Sequence, residues 1–302
     1  MKPILTGYFD HKDTEINTQL ENARLHQIQE VSLRMANGFK LGDIDGKTYQ
    51  EIITALKKSK QKVICLDPNI ETYDLYQDNK HKASVEIYKD LMGLASKTKT
   101  PYIALRLPKF NDVIEEIDVI SPYMDDYIHL AQQHHKKLVL IPSDAHKANT
   151  YAYLLKKYKS NLLNMCFDPV YFYLNGESTT TSYRLLKKHI LFIRANDVDI
   201  KGTPKLLGHG NTDFLKIAKR LIRDKYQGYI FVDNTLDVLI HRPETEEKKT
   251  FIKKIFSKSN KKQINLYEDL KAQLKWQDQE KNVTYDDILA NQIKLLNYIF
   301  RV

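Results

Sequence analysis

Short apolar segments recur along the chain, and each runs directly into polar residues. In the second half Met165, Cys166 and Phe167 precede Asp168 and Pro169, Leu191 to Ile193 precede Arg194, Ala195, Asn196 and Asp197, and Tyr229–Val232 precedes Asp233 and Asn234. The first half has the same rhythm: residues 4–9 lead to Asp10, 31–33 to Arg34, Lys62–Leu66 to Asp67, 101–105 to Arg106, and 137–141 to Pro142, Ser143 and Asp144. Between these β-prone runs apolar residues return at helical spacing, over 17–29, at Ile52, Ile53 and Leu56, over 80–97, from Pro122 onward, and over 151–158. The pattern predicts eight strands, about 26 to 40 residues apart, with helices in most of the gaps.

That period fits one βα unit, and eight such units close a (β/α)8 TIM barrel. An open doubly wound sheet is the competing architecture, but no GxGxxG follows any strand. Beyond Asp233 the chain continues through 236–240, a charged helix over 244–258, another over 264–276, and a last helix carrying Ile288, Leu289, Ile293, Leu296, Ile299 and Phe300. One closing helix does not need so much chain. The expected division is a barrel over 1–258 and an additional C-terminal helical extension over 259–302, packed on the barrel or on a partner subunit as a homodimer.

At 302 residues the chain is long for an average domain but ordinary for one α/β barrel. No apolar run approaches the roughly 20 residues needed to span a bilayer, and the N-terminus turns charged too early for a signal peptide, so a cytoplasmic protein is expected. Cys65 and Cys166 sit inside apolar runs without CxxC spacing, which supports neither a disulfide framework nor a zinc motif. The net charge of +9 raises nucleic acid as a partner. Much of the surplus is lysine between Lys248 and Lys262, without interleaved aromatics, which reads as a solvated helix face and not a polyanion site.

A barrel of this kind builds its site from residues just past each strand. Here these are Asp10, Arg34 with Asn37, Asp67, Arg106, Ser143 with Asp144 and His146, Asp168, Arg194 with Asn196, and Asp233. Three arginines among carboxylates point to a small anionic ligand such as a sugar phosphate or sugar acid, because a guanidinium fork matches phosphate or carboxylate oxygens. The alternative for Arg34 and Arg106 is a salt bridge to a neighbouring aspartate. Asp67 before Pro68 reads more simply as an Asx turn that ends a strand.

The segments Phe167-Asp168-Pro169, Ile193-Arg194-Ala195-Asn196-Asp197, residues 207–214 (LGHGNTDF) and Tyr226-Gln227-Gly228-Tyr229 together resemble the xylose-isomerase-like barrel superfamily of sugar-phosphate isomerases and epimerases, inosose dehydratases and apurinic endonucleases. The resemblance implies one divalent metal (Mn, Mg or Zn) held by Glu, Asp, His and Glu on strands five to eight, with acidic groups that shuttle a proton between adjacent carbons. Position by position, Asp168 matches and Asp233 is a shorter carboxylate, so these two are the expected catalytic pair and the metal ligands where a metal is retained. Arg194 stands where the His belongs, and Pro142 or Ser143 where the first Glu belongs. A modified or metal-free site is therefore expected, with Arg34, Arg106, Arg194, Asn196 and His209 binding the substrate. His209, Asp144 and His146 lie on loops that could restore ligands. A non-catalytic sugar-phosphate-binding protein is the alternative, and an apurinic-endonuclease-like nuclease the third reading, since the matching His positions of that branch hold Tyr171 and Arg194.

Overall fold

Strands and helices alternate as the sequence pattern requires. In the computed structural model, residues 2–11, 13–158, 161–232, 236 and 283–301 are described. The strands are β1 (Ile4–Thr6), β2 (Glu30–Leu33), β3 (Lys62–Leu66), β4 (Tyr102–Leu105), β5 (Lys137–Leu140), β6 (Leu163–Phe167), β7 (Ile190–Ala195) and β8 (Tyr229–Val232). They form one parallel sheet in the order β1-β8-β7-β6-β5-β4-β3-β2. Its two ends meet: the Ser32 N–H donates to the Gly7 carbonyl at 3.0 Å, and the Thr6 and Ser32 hydroxyls lie 3.2 Å apart. The result is a nearly closed (β/α)8 barrel.

The strands are short apolar runs because both of their faces are covered. β3 and β5 each begin on an exposed lysine and are buried thereafter. Side chains from neighbouring strands, among them Tyr8, Cys65, Ala104, Val139, Cys166, Phe192 and Phe231, fill the barrel interior. A larger core lies between sheet and helices and includes Leu33, Leu66, Leu105, Leu140, Phe167 and Ile193. Both cysteines are buried free thiols, as their apolar settings imply.

The helices are α1 (Ile16–Leu25), α2 (Gly46–Ser59), α3 (Asp78–Thr98), α4 (Ile117–Gln133), α5 (Ala148–Lys157), α6 (Pro169–Leu174), α7 (Thr179–Leu186), α8 (Phe214–Arg223) and α9 (Tyr285–Phe300). Two details depart from the sequence reading. Pro122 lies inside α4, not near its start, because the turn closed by the Glu116 N–H on the Asp112 carbonyl carries the helix back to Ile117. The connection from β6 to β7 holds α6 and α7, for which apolar periodicity gave no signal at such short lengths. No described helix is long and apolar enough to cross a membrane.

Beyond β8 the expected segment 236–240, apart from Leu236, and the helices over 244–258 and 264–276 lie outside the described residues. The last helix is described, and it packs on the barrel beside β8. α9 buries Tyr285, Leu289, Ile293, Leu296 and Phe300 in the same core as the sheet, and Gln292 accepts the Leu207 N–H through Oε1 at 3.3 Å. Its N-terminus is closed by a capping box between Thr284 and Asp287. Thr284→Ala is expected to cost about 1 kcal/mol, read as a lower urea midpoint with an unchanged m-value.

Candidate functional site at the barrel mouth

The C-terminal ends of the strands bring carboxylates and arginines together in pairs. After β1 and β2, Arg34 donates to Asp10 through Nε at 2.7 Å and Nη2 at 3.0 Å. After β3 and β4, Arg106 donates through both terminal nitrogens to Asp67 Oδ1 and Oδ2 at 2.7 and 2.8 Å. Asp67 also accepts the Asn69 N–H at 2.8 Å, so the expected Asx turn and an arginine fork share one carboxylate. Burial alone would raise the Asp67 carboxyl, but the Arg106 charge and these donors together hold it below the ordinary range.

Tyr8, which the sequence reading passed over, lies between the two pairs. Its hydroxyl donates to Asp67 Oδ2 at 3.2 Å, and the Arg34 guanidinium lies 4.8 Å from its ring centroid. Burial, then the nearby Asp67, pushes the phenol well above its usual range, so it stays a neutral donor. The only signal in the sequence was its place just before Asp10 at the end of the first strand.

The third group, after β6 and β7, is built differently. Asp168 is the N-cap of α6, with Pro169 at the first helical position. Its Oδ1 accepts the Tyr171 N–H at 3.1 Å and Asn196 Nδ2 at 3.0 Å. Arg194 approaches only through Nε, 3.7 Å from Asp168 Oδ2, which is an ion pair without a hydrogen bond. Beneath it the Cys166 thiol is pushed up to about 12 by burial, with Arg194 opposing the shift. Arg194 is thus the mouth arginine whose fork no described carboxylate occupies.

The rim beside β5 is mostly self-contained. The His146 ring is buried, stacks on Phe110 with centroids 4.2 Å apart, and meets the Pro108 carbonyl through Nε2 at 2.8 Å. Burial lowers its proton affinity. The Tyr171 hydroxyl donates to the carbonyls of Ser143 and His146 at 2.7 and 2.9 Å. Asp144, left-handed at φ 54°, pairs with Lys109 at 3.6 Å. His209 lies exposed on the loop after β7, and Asp233 falls outside the described residues.

That loop is organised by Asp197. Its two oxygens accept the N–H groups of Val198, Gly208, Gly210 and Thr212 at 3.0 to 3.1 Å and the Thr212 hydroxyl at 2.7 Å. Gly210 permits this wrap, since a Cβ there would lie 2.2 Å from Asp197 Oδ1. Two segments that carried the family resemblance are therefore two halves of one clamp.

Solved structures that share this fold include sugar epimerases. The D-allulose 3-epimerase from a Methylomonas species superposes with a TM-score of 0.67 at 11% identity, over 99% of this chain and 98% of that one. A D-tagatose 3-epimerase-like protein gives 0.63 at 15% identity, over 91% and 100%. A xylose isomerase domain protein from Planctomyces limnophilus gives 0.62 at 13% identity, over 89% and 98%. The fold is that of the xylose-isomerase-like barrels. No protein-family model matches the sequence, and no curated protein matches it either.

The metal implied for xylose-isomerase-like barrels can be tested against the donors present. Of the four positions, Asp233 lies outside the described residues, Ser143 offers a weak neutral ligand, Arg194 has no lone pair to donate, and Asp168 Oδ1 is already committed to two N–H groups. His146 keeps its ring on Phe110 and Pro108 and does not restore the set. Among the described residues no three His, Cys, Asp or Glu side chains converge as a metal site. The described donors do not fit a divalent cation.

Proposed function

We propose that this barrel is an isomerase- or epimerase-like sugar enzyme whose mouth binds a small anionic carbohydrate on Arg194, at a site where the family's metal ligands have been replaced. One observation supports the reading: among the three mouth arginines, Arg34 and Arg106 each hold an aspartate through two hydrogen bonds, while Arg194 has no hydrogen bond to a carboxylate among the described residues. A guanidinium held in a half-buried site favours an anion that fits its fork. Arg34 and Arg106 then shape the mouth and do not touch the ligand, and Asn196 fixes Asp168. Asp168 and Asp233 are the acids to which proton transfer between adjacent carbons is assigned, and His209, on the loop after β7, is assigned to substrate binding.

Thermal-shift measurements across sugar acids, sugar phosphates and neutral sugars test the binding. A ligand at 100 times its dissociation constant stabilises the folded state by about 2.7 kcal/mol, and Arg194→Met should abolish that shift for anions while leaving the unliganded protein folded. A shift with divalent metal alone, and none with any anionic sugar, would sink the proposal. The commitment of Asp168 Oδ1 to Asn196 and Tyr171 favours a second reading, a non-catalytic binding protein. Turnover of an aldose/ketose panel that disappears in Asp168→Ala supports the enzyme; binding without turnover supports the second reading. A nuclease ranks behind both, because Tyr171 spends its hydroxyl on backbone carbonyls.

A further inference from the structure

The positive charge of the chain is concentrated on one part of the barrel wall. There α7 packs against α5 on one side and α8 on the other. From N-cap to the turn that ends each helix, residues 147–158, 178–189 and 213–225 carry eleven Lys or Arg and two acids, Asp213 and Asp224. Their net charge equals the +9 of the whole chain, so the remaining residues balance. The run between Lys248 and Lys262 is therefore offset by acids elsewhere in the sequence.

Helix polarity accounts for part of this wall. Cations in a last helical turn complement the macrodipole, which explains Lys156, Lys157, Arg184, Arg220 and Arg223. It does not explain Lys219, which lies before the last turn of α8, or Lys187 and Lys188 beyond the end of α7. The two acids are shared out: Asp213 pairs with Lys216 at 2.8 Å, and Asp224 accepts from Arg223 at 3.0 Å and Lys187 at 3.3 Å.

The same helices also show large aliphatic side chains to solvent. Leu185 on α7 is 48% exposed, and Leu215 and Ile222 on α8 are 42% and 50% exposed. Leu215 and Ile222 are seven residues apart, two helical turns, so they share the outer side of α8 with Lys219 between them. The other apolar side of α8, formed by Phe214, Ile217, Ala218 and Leu221, is already spent on the barrel. Cations alone would suit any polyanion. Single-stranded nucleic acid is gripped by aromatic side chains that stack on bases, whereas exposed Leu and Ile among Lys and Arg match the acyl boundary beneath anionic headgroups.

We propose that the wall formed by α5, α7 and α8 is a docking surface for an anionic phospholipid membrane. Its cations face the headgroups, and Leu185, Leu215 and Ile222 enter the acyl boundary. The surface lies beside the mouth and not across it, so docking leaves the mouth open.

Co-flotation of the full chain with vesicles of phosphatidylcholine alone, or containing about 30% phosphatidylserine, tests this at about 0.05 M and about 0.3 M salt. At the lower salt the anionic vesicles are expected to bind at least tenfold tighter than the neutral ones, with the difference shrinking at the higher salt. Lys188→Gln combined with Lys219→Gln should weaken that binding about tenfold or more, since each cation near an anionic surface contributes about fivefold. Leu215→Ser combined with Ile222→Ser should weaken it several-fold at both salt concentrations. Lys57→Gln combined with Lys58→Gln, which removes the same charge from α2, should leave it unchanged. Circular dichroism and the thermal midpoint verify that each variant is folded. Equal binding to both kinds of vesicle, no binding to either, or equal losses from the α2 pair and the wall pair would overturn the proposal. So would an apolar pair without effect, because a bilayer would then have no advantage over a generic polyanion. A random-sequence DNA that displaces the vesicles, and whose binding is lost in Lys188→Gln with Lys219→Gln, would assign the wall to nucleic acid instead.

Discussion

Replacing Arg106 with methionine is expected to destabilise the protein by about 3 to 5 kcal/mol, because it leaves a buried aspartate without its counter-charge. Asp67 is 1% exposed at the side chain, and both its oxygens lie on the Arg106 fork. The remaining donors, the Asn69 N–H and the Tyr8 hydroxyl, do not neutralise the charge. pH dependence separates this mechanism from simple loss of packing. The native Asp67 carboxyl is held below its ordinary range, so its contribution is fully present above the unfolded value and is lost as pH falls through the native one. In Arg106→Met the sign reverses: the unpaired carboxyl gains a proton more readily when folded, so the penalty should shrink as pH falls from about 7 to about 4. Urea unfolding at the two pH values measures the difference, and Asp67→Asn placed on Arg106→Met should recover part of the loss. A penalty that is equal at both pH values, and unaltered by the second substitution, would mean that Arg106 acts through its methylenes alone.

The barrel was legible because its strands must be apolar on both faces, which writes each as an uninterrupted run that ends on polar residues. Short helices with little periodicity were not legible: α6 begins on Asp168 and Pro169, an N-cap and first-position proline, and the same dipeptide reads equally well as a strand-ending turn. At the site, position past a strand end identified which side chains share the mouth. It did not identify which arginine is satisfied. Arg34, Arg106 and Arg194 look alike in the sequence, and only the distances of their partners, between 2.7 and 3.7 Å, distinguish a spent fork from an available one. Tyr8 was missed for a related reason, since an aromatic residue before a polar edge is indistinguishable from strand core until Asp67 is seen to accept its hydrogen bond.

Asp197 shows how the motifs that signalled the fold act in the folded chain, and it carries the other large expected effect. Asp197→Ala should cost about 4 kcal/mol, since it strips a buried carboxylate from four N–H groups and a hydroxyl and leaves several of them without an acceptor. Gly210→Ala attacks the same clamp from the loop side, with its new methyl 2.2 Å from Asp197 Oδ1 and an expected cost of about 1 to 3 kcal/mol. If both act on one clamp, the double variant should lose less than the sum, because removing the carboxylate relieves that clash while the one with the Val198 carbonyl oxygen remains. Denaturant unfolding of the two single variants and the double decides the matter. Additive losses would show that loop and carboxylate are stabilised separately. The coupling also reaches the ligand site. Asn196 immediately precedes Asp197 and donates to Asp168, so the milder Gly210→Ala, while still folded, should weaken anionic-sugar binding together with stability. Unchanged affinity in that variant would confine the clamp to the fold.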